Sequence, residues 1–146
     1  MKGVVYKACV RSVLTYGAET WAIKAGVFQR LQATERRMLI MICGVILKDM
    51  VKNTVIALRV GVDDLEEHLK QKRLRWFRHI ARRDEEVEIK KVFELKMEGR
   101  RKRGRPVKRW IDVVEEVMKK RAVVQQDAGD REGWRRRAVK GLANPC

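Results

Sequence analysis

The sequence predicts an all-α fold. Apolar residues recur at the spacing of amphipathic helices through most of its 146 residues, and no stretch sustains the apolar–polar alternation of a half-buried strand. Only two prolines occur, Pro106 and Pro145, so few positions interrupt a helix. Together these observations indicate a small helical bundle, followed by a basic Gly-Arg-Pro loop and C-terminal helices.

Local signals place the individual helices. Gly44 and Gly61 are expected to end helices as C-caps, because glycine adopts the left-handed conformation without penalty. Asp63 or Asp64 is the expected N-cap of the longest helix, which continues to about Arg83. In chain order, helices are expected over 3–16, 27–43, 53–60, from Asp64 to about Arg83, over 86–97, from Trp110, and from about Asp130.

Apolar stripes on these helices predict the core. One stripe lies on the helix over 27–43, one on the helix that starts near Asp64, and one on the helix that begins at Trp110. The last helix carries Trp134. The expected core residues are Val27, Leu31, Met38 and Ile42, then Leu65, Leu69, Trp76 and Ile80, then Trp110, Val113, Val114, Val117 and Met118.

Positive charge is concentrated in the second half of the chain. The 35 Lys and Arg outnumber the 19 Asp and Glu, for a net charge of +16. Residues 1–69 carry a net +3 and residues 70–146 a net +13. Such a field attracts polyanions. The second half is therefore expected to form a binding surface for nucleic acid, and the first half to form the hydrophobic core. The predicted division is a thumb-like bundle over 1–97, a basic loop over 98–109 and a helical segment over 110–146.

The basic loop is the first candidate for nucleic-acid contact. Seven of the twelve residues after Glu98 are Lys or Arg, with no acid among them. Pro106 disfavours a helix, and Gly104 lets the backbone lie close to a surface, a shape that suits the A·T-rich minor groove. The alternative is a basic linker that only contacts solvent. The density of positive charge favours nucleic-acid contact over this alternative. The candidate contacts are Arg100, Arg101, Lys102, Arg103, Arg105, Lys108 and Arg109.

A second candidate surface lies on the longest helix. Arg75, Arg78 and Arg82 are expected to cluster opposite its apolar stripe, where guanidinium groups one turn apart can meet successive phosphates. A solvated face is the alternative. Three tryptophans lie in apolar stripes of the second half of the chain: Trp76, Trp110 and Trp134. They could stack on bases, but their positions favour packing in the core.

Nothing in the residues indicates a catalytic, cofactor or metal site. The three cysteines are far apart, the two histidines are eleven residues apart, and the Cys-x-x-Cys signature of zinc sites is absent. The odd cysteine count fits a reducing interior, so an intracellular location is expected. The longest apolar run, Met38 to Leu47, is too short to span a bilayer, and no membrane partner is expected.

Five blocks of sequence resemble, in this order, the segment that follows the polymerase palm in non-LTR (LINE-type) retrotransposon reverse transcriptases. The resemblance runs from about Val5 to Trp134. It implies a thumb-like helical region and a basic C-terminal segment that holds template RNA and target DNA. It also implies a nuclear location and a larger parent that contributes the palm and an endonuclease as partners. The blocks are Tyr16-Gly17-Ala18-Glu19-Thr20-Trp21, Leu31-Gln32-Ala33-Thr34-Glu35-Arg36-Arg37-Met38-Leu39, Leu74-Arg75-Trp76-Phe77-Arg78-His79-Ile80-Ala81-Arg82, Gly104-Arg105-Pro106-Val107-Lys108-Arg109-Trp110-Ile111-Asp112 and Asp130-Arg131-Glu132-Gly133-Trp134.

The family's catalytic aspartate pair has no counterpart here. Asp63-Asp64 is the only adjacent pair, and its place at a helix start favours an N-cap. The chain is therefore expected to lack polymerase activity and to bind RNA or DNA by an electrostatic clamp. One alternative is a stand-alone AT-hook protein, which Val107 disfavours because a basic residue usually follows the hook's proline. The other is a non-functional relic of a retroelement, as suggested by Arg78 at a position where similar proteins commonly have glycine.

Overall fold

Every regular element in the described part of the protein is a helix. The computed structural model describes residues 2–95, 104 and 108–139, and no strand occurs among them, so the all-α prediction is confirmed. In chain order the elements are α1 (Lys2–Val5), a π-helical turn (Tyr6–Val10), α2 (Arg11–Leu14), α3 (Ala25–Cys43), a 3₁₀ turn (Leu47–Asp49), α4 (Asn53–Val60), α5 (Leu65–Ala81), α6 (Glu88–Glu94), α7 (Trp110–Lys120), a 3₁₀ turn (Gln125–Gly129), α8 (Arg131–Trp134) and a π-helical turn (Arg135–Val139).

The predicted caps of the central helices are confirmed. Gly44 ends α3 with φ 65° and Gly61 ends α4 with φ 70°, both in the left-handed region that favours glycine. Asp64 rather than its neighbour is the N-cap of α5. Its Oδ2 accepts hydrogen bonds from the backbone N–H groups of Glu66 at 2.9 Å and Glu67 at 3.2 Å.

The first helical stretch differs from the prediction by its π-helical turn. The backbone N–H of Arg11 donates to the carbonyl oxygen of Tyr6, five residues earlier rather than four. A wider turn of this kind places Tyr6 and Arg11 on the same side of the helix. In an unbroken α-helix, residues five apart would point about 140° away from each other.

The chain divides into two compact units, residues 1–69 and 70–146. The boundary falls inside α5 and coincides with the change in charge, from a net +3 in the first unit to +13 in the second. It also lies within the predicted bundle over 1–97, while most of the predicted loop over 98–109 lies outside the described residues. The three-part division therefore stays a prediction.

The first unit has two apolar clusters, and the buried side of α3 differs from the predicted one. The clusters are formed by Tyr6, Leu39, Ile56 and Val62, and by Ala18, Leu65 and Leu69. On α3 the buried residues are Leu39 and Glu35, whereas Val27 is 43% exposed. Val27 was therefore wrongly predicted as core. The pattern considered only apolar residues, so it also missed the buried carboxylate of Glu35.

The second unit is built around aromatic residues. The Phe77 ring stacks on Trp134 with centroids 5.9 Å apart, and Phe93 meets Trp110 edge-on at 6.0 Å. The prediction that Trp134 is core is confirmed by its 1% exposure, and Trp110 packs against the same cluster. The buried members of the cluster are Leu74, Phe77, Val114, Val117, Met118, Val123, Ala128, Trp134 and Ala138.

Two glycine substitutions are expected to have opposite effects. A Cβ at Gly3 would overlap the backbone oxygen of Val60, whereas a Cβ at Gly26 meets nothing within 4 Å. We expect Gly3→Ala to lower the free energy of unfolding by about 1–3 kcal/mol through overpacking. Gly26→Ala is expected to raise it by up to about 1 kcal/mol, because alanine favours helix. Urea denaturation of both variants measures the difference, and equal stabilities would contradict the close approach.

Candidate nucleic-acid interface

Two of the predicted arginines are exposed, Arg75 on α5 and Arg82 directly after its last residue, Ala81. Burial of Leu74, Phe77 and Ile80 fixes which side of this helix faces the interior. Arg75 and Arg82 lie on the opposite side and are both exposed. They are two turns apart, about 10 Å along the helix axis. Their exposure agrees with the helical period used in the prediction.

The third arginine of this set, Arg78, has a different environment. It is half-buried, and its Nε and Nη2 atoms are shielded from solvent without a hydrogen-bond partner among the described residues. Burial lowers the pKa of Arg78, and the positive charges of Arg82 and Arg131 lower it further, against the opposing effect of Asp130. A guanidinium held among other cations in this way would gain from a bound anion.

An aromatic pair lies beside these arginines. The exposed ring of His79 stacks on half-buried Trp76, with centroids 5.4 Å apart and planes inclined by 20°. Nη2 of Arg83 lies 3.2 Å from Nε2 of His79. Arginine can only donate, so this contact is a hydrogen bond in the tautomer whose Nε2 accepts. Trp76 was predicted as core and is instead partly exposed under His79. The three-residue spacing of the two rings was the signal in the sequence.

The two basic residues before α7 are not equivalent. Nζ of Lys108 lies 2.7 Å from Oε2 of Glu116, whose other oxygen is 3.2 Å from Nζ of Lys120. The hydrogen bond from Lys108, followed by that from Lys120, lowers the pKa of Glu116 to about 2. Part of the charge of Lys108 is therefore already neutralised. The Arg109 side chain is exposed, while its backbone N–H donates to Asp112 at 2.8 Å and begins α7.

In the predicted basic loop before Lys108, the structure describes Gly104 alone. Gly104 is exposed and has φ 134°, a conformation that side chains rarely allow. The remaining candidates lie outside the described residues: Arg100, Arg101, Lys102, Arg103 and Arg105.

The first unit holds a buried ionic cluster that the sequence did not indicate. Nε of Arg11 lies 3.1 Å from Oε1 of Glu35, with side-chain exposures of 3% and 8%. The Tyr6 hydroxyl donates to the same oxygen at 3.2 Å, and Nη2 of Arg11 donates to the carbonyl oxygen of Asp63. Burial raises the pKa of Glu35, and the charge of Arg11 opposes this effect. Burial also raises the pKa of Tyr6, which keeps its hydroxyl proton available to the carboxylate.

A cleft of about 580 Å³ borders this cluster, between α3, α4 and the start of α5. Glu35 and the Asp63-Asp64 pair contribute to its wall. Glu35 is engaged by Arg11, and Asp64 caps α5, so these carboxylates have structural partners. Within the described ranges, no group of three or more His, Cys, Asp or Glu is arranged to hold a metal ion.

Across the part of the chain that the structure describes, no helix combines the length and the apolar character needed to cross a membrane. Comparison of the chain with protein-family models, with curated proteins and with solved structures found no match. The resemblance to retrotransposon reverse transcriptases therefore rests on the five sequence blocks.

Proposed function

We propose that this chain binds RNA or DNA through electrostatic contacts to backbone phosphates, as the thumb and C-terminal part of a retroelement reverse transcriptase whose palm lies elsewhere. The observation that carries this proposal is the net charge of +13 on the unit formed by residues 70–146. The proposal places the protein in the nucleus, with the palm and endonuclease of a larger parent as further partners.

The geometry of α5 supports a clamp. Arg75 lies on α5 and Arg82 directly after its end, and buried side chains hold this helix in place. Binding a phosphate therefore needs little additional ordering of the backbone. Each guanidinium can form two parallel hydrogen bonds to a phosphate. Arg78 adds a charge between them, and its Nε and Nη2 have no hydrogen-bond partner among the described residues. Phosphate contacts of this kind position a protein on nucleic acid without reading its sequence.

A second candidate function is minor-groove binding by Arg103-Gly104-Arg105-Pro106 as an AT-hook. Gly104 is exposed, and a Cβ placed on it would meet no atom of the described residues within 4 Å. This favours the AT-hook, because the backbone can approach a groove closely. The start of α7 disfavours it. Trp110 packs against the core of the second unit only four residues after the proline, which limits how deeply the loop can enter a groove.

A competition titration separates the two modes. Wild type and Arg105→Ala are compared on A·T-rich duplex, G·C-rich duplex and RNA at one fixed salt concentration. In a clamp, we expect Arg105→Ala to weaken binding to all three alike, because each offers the same phosphates. A preference for A·T-rich duplex above about tenfold, or 1.4 kcal/mol, that disappears in the variant would assign the AT-hook instead. If none of the three is bound, the proposal of nucleic-acid binding fails.

A further inference from the structure

The Trp76–His79 pair forms a fixed aromatic surface on α5. His79 is exposed, with its ring lying on Trp76 at a centroid distance of 5.4 Å and held at its edge by Arg83 at 3.2 Å. An exposed histidine ring would ordinarily rotate freely. Here two contacts, one below the ring and one beside it, restrain its orientation before any ligand arrives.

Exposed cations surround this aromatic surface. Arg75 precedes His79 by one turn, and Arg82 and Arg83 follow it by one turn, all three exposed to solvent. Residues three and four apart on a helix are neighbours, with Cβ atoms about 5–6 Å from each other. Arg82 and Arg83 follow the last residue of α5, and their backbone N–H groups still donate to the carbonyl oxygens of Arg78 and Ile80. A ligand stacked on His79 would therefore have guanidinium groups on both sides along the helix axis.

This arrangement matches the chemistry of a nucleotide within a single strand. A flat base can stack on an aromatic ring whatever its sequence, and the phosphates on either side of it can bind arginine. In a duplex both faces of every internal base are already covered by neighbouring bases, so the same ring has nothing to stack against. The aromatic surface would therefore distinguish single-stranded from double-stranded nucleic acid, which phosphate contacts alone cannot do.

We propose that His79, supported by Trp76, is a stacking platform for an unpaired base of single-stranded nucleic acid. The inference rests on the proposed function, since Arg75, Arg82 and Arg83 would hold the flanking phosphates. It adds a substrate class to that function: single strands or frayed ends are bound more tightly than paired regions with the same charge.

The decisive comparison uses two polyanions of equal length, a thymidine oligomer and an abasic oligomer that keeps the sugar–phosphate backbone. We expect wild type to bind the thymidine oligomer about tenfold more tightly, a typical gain from stacking. His79→Ala should reduce this ratio to about one. His79→Phe should retain the ratio, because phenylalanine stacks but cannot accept from Arg83. A uridine oligomer run in parallel distinguishes RNA from DNA as the preferred strand.

A matched control is Trp21→Ala, which removes a 55%-exposed aromatic side chain from the first unit and should not change the ratio. A ratio near one in wild type would overturn the platform, as would loss of the ratio in both His79→Ala and His79→Phe. If the abasic oligomer is bound with steep salt dependence while the base has no effect, only the platform fails. Absence of binding to any oligomer overturns the proposed function together with it.

Discussion

Raising the monovalent salt concentration from about 50 to about 200 mM should weaken nucleic-acid binding by about three decades or more. Each phosphate contact displaces condensed counterions, so six to eight contacts, as a rough count, give a steep slope of log affinity against log salt. The basis is the +13 charge of the unit over 70–146 and the exposed positions of Arg75 and Arg82. Fluorescence anisotropy of a labelled oligonucleotide at graded salt concentrations gives the slope directly.

A pair of double variants shows which charges are responsible. Arg75→Ala with Arg82→Ala should reduce the slope by about two units, one for each lost phosphate contact. The matched control is Arg30→Ala with Arg37→Ala, which removes two exposed arginines, also two turns apart, from α3 in the weakly charged unit. Its slope should stay at the wild-type value. Equal slopes for the two double variants, or a wild-type slope near zero, would show that the charge of α5 only solubilises the protein.

Removal of the buried carboxylate by Glu35→Ala should lower the free energy of unfolding of the first unit by about 3–5 kcal/mol. The guanidinium of Arg11 would be left in the interior with its ion pair broken, and the Tyr6 hydroxyl would lose the acceptor at 3.2 Å. An uncompensated buried charge is among the most costly single defects in a protein interior. Urea denaturation followed by circular dichroism measures the change.

The companion variant removes both charges of this pair. Glu35→Leu with Arg11→Met replaces the ion pair with apolar side chains of similar length, and its cost should be well below that of Glu35→Ala, since no charge is left unpaired. If Glu35→Ala costs less than about 1 kcal/mol, water or another group compensates Arg11 and the cluster does not stabilise the unit. If the double replacement costs as much as the single one, packing rather than charge is responsible.

The helix ends could be predicted because their causes are local. A glycine at the C-cap relieves a backbone constraint, and Asp64 satisfies the N–H groups of the residues next to it, so neither depends on the rest of the fold. The buried side of α5 was predicted as a single stripe, but its residues belong to two different clusters. Leu65 and Leu69 belong to a cluster of the first unit, whereas Leu74 and Phe77 belong to the core of the second.

The candidate interface could be predicted in part, for a similar reason. The helical period was enough to place Arg75 and Arg82 in solvent. The environment of Arg78 depends on Asp130 and Arg131, residues distant in sequence that no pattern on α5 can indicate. Lys108 was counted among the free cations, but the fold brings it to Glu116 on α7. Side chains whose role depends on a distant partner are those that the sequence misplaces.

The π-helical turn between Tyr6 and Arg11 changes which residues of this helical stretch share a face. In an α-helix, side chains four apart share a face, and in this turn side chains five apart do so. The wider turn brings the Tyr6 hydroxyl and the Arg11 guanidinium to the same carboxylate oxygen of Glu35. The buried carboxylate therefore constrains the direction in which these two groups point, and the π-helical turn meets that constraint at a spacing of five residues.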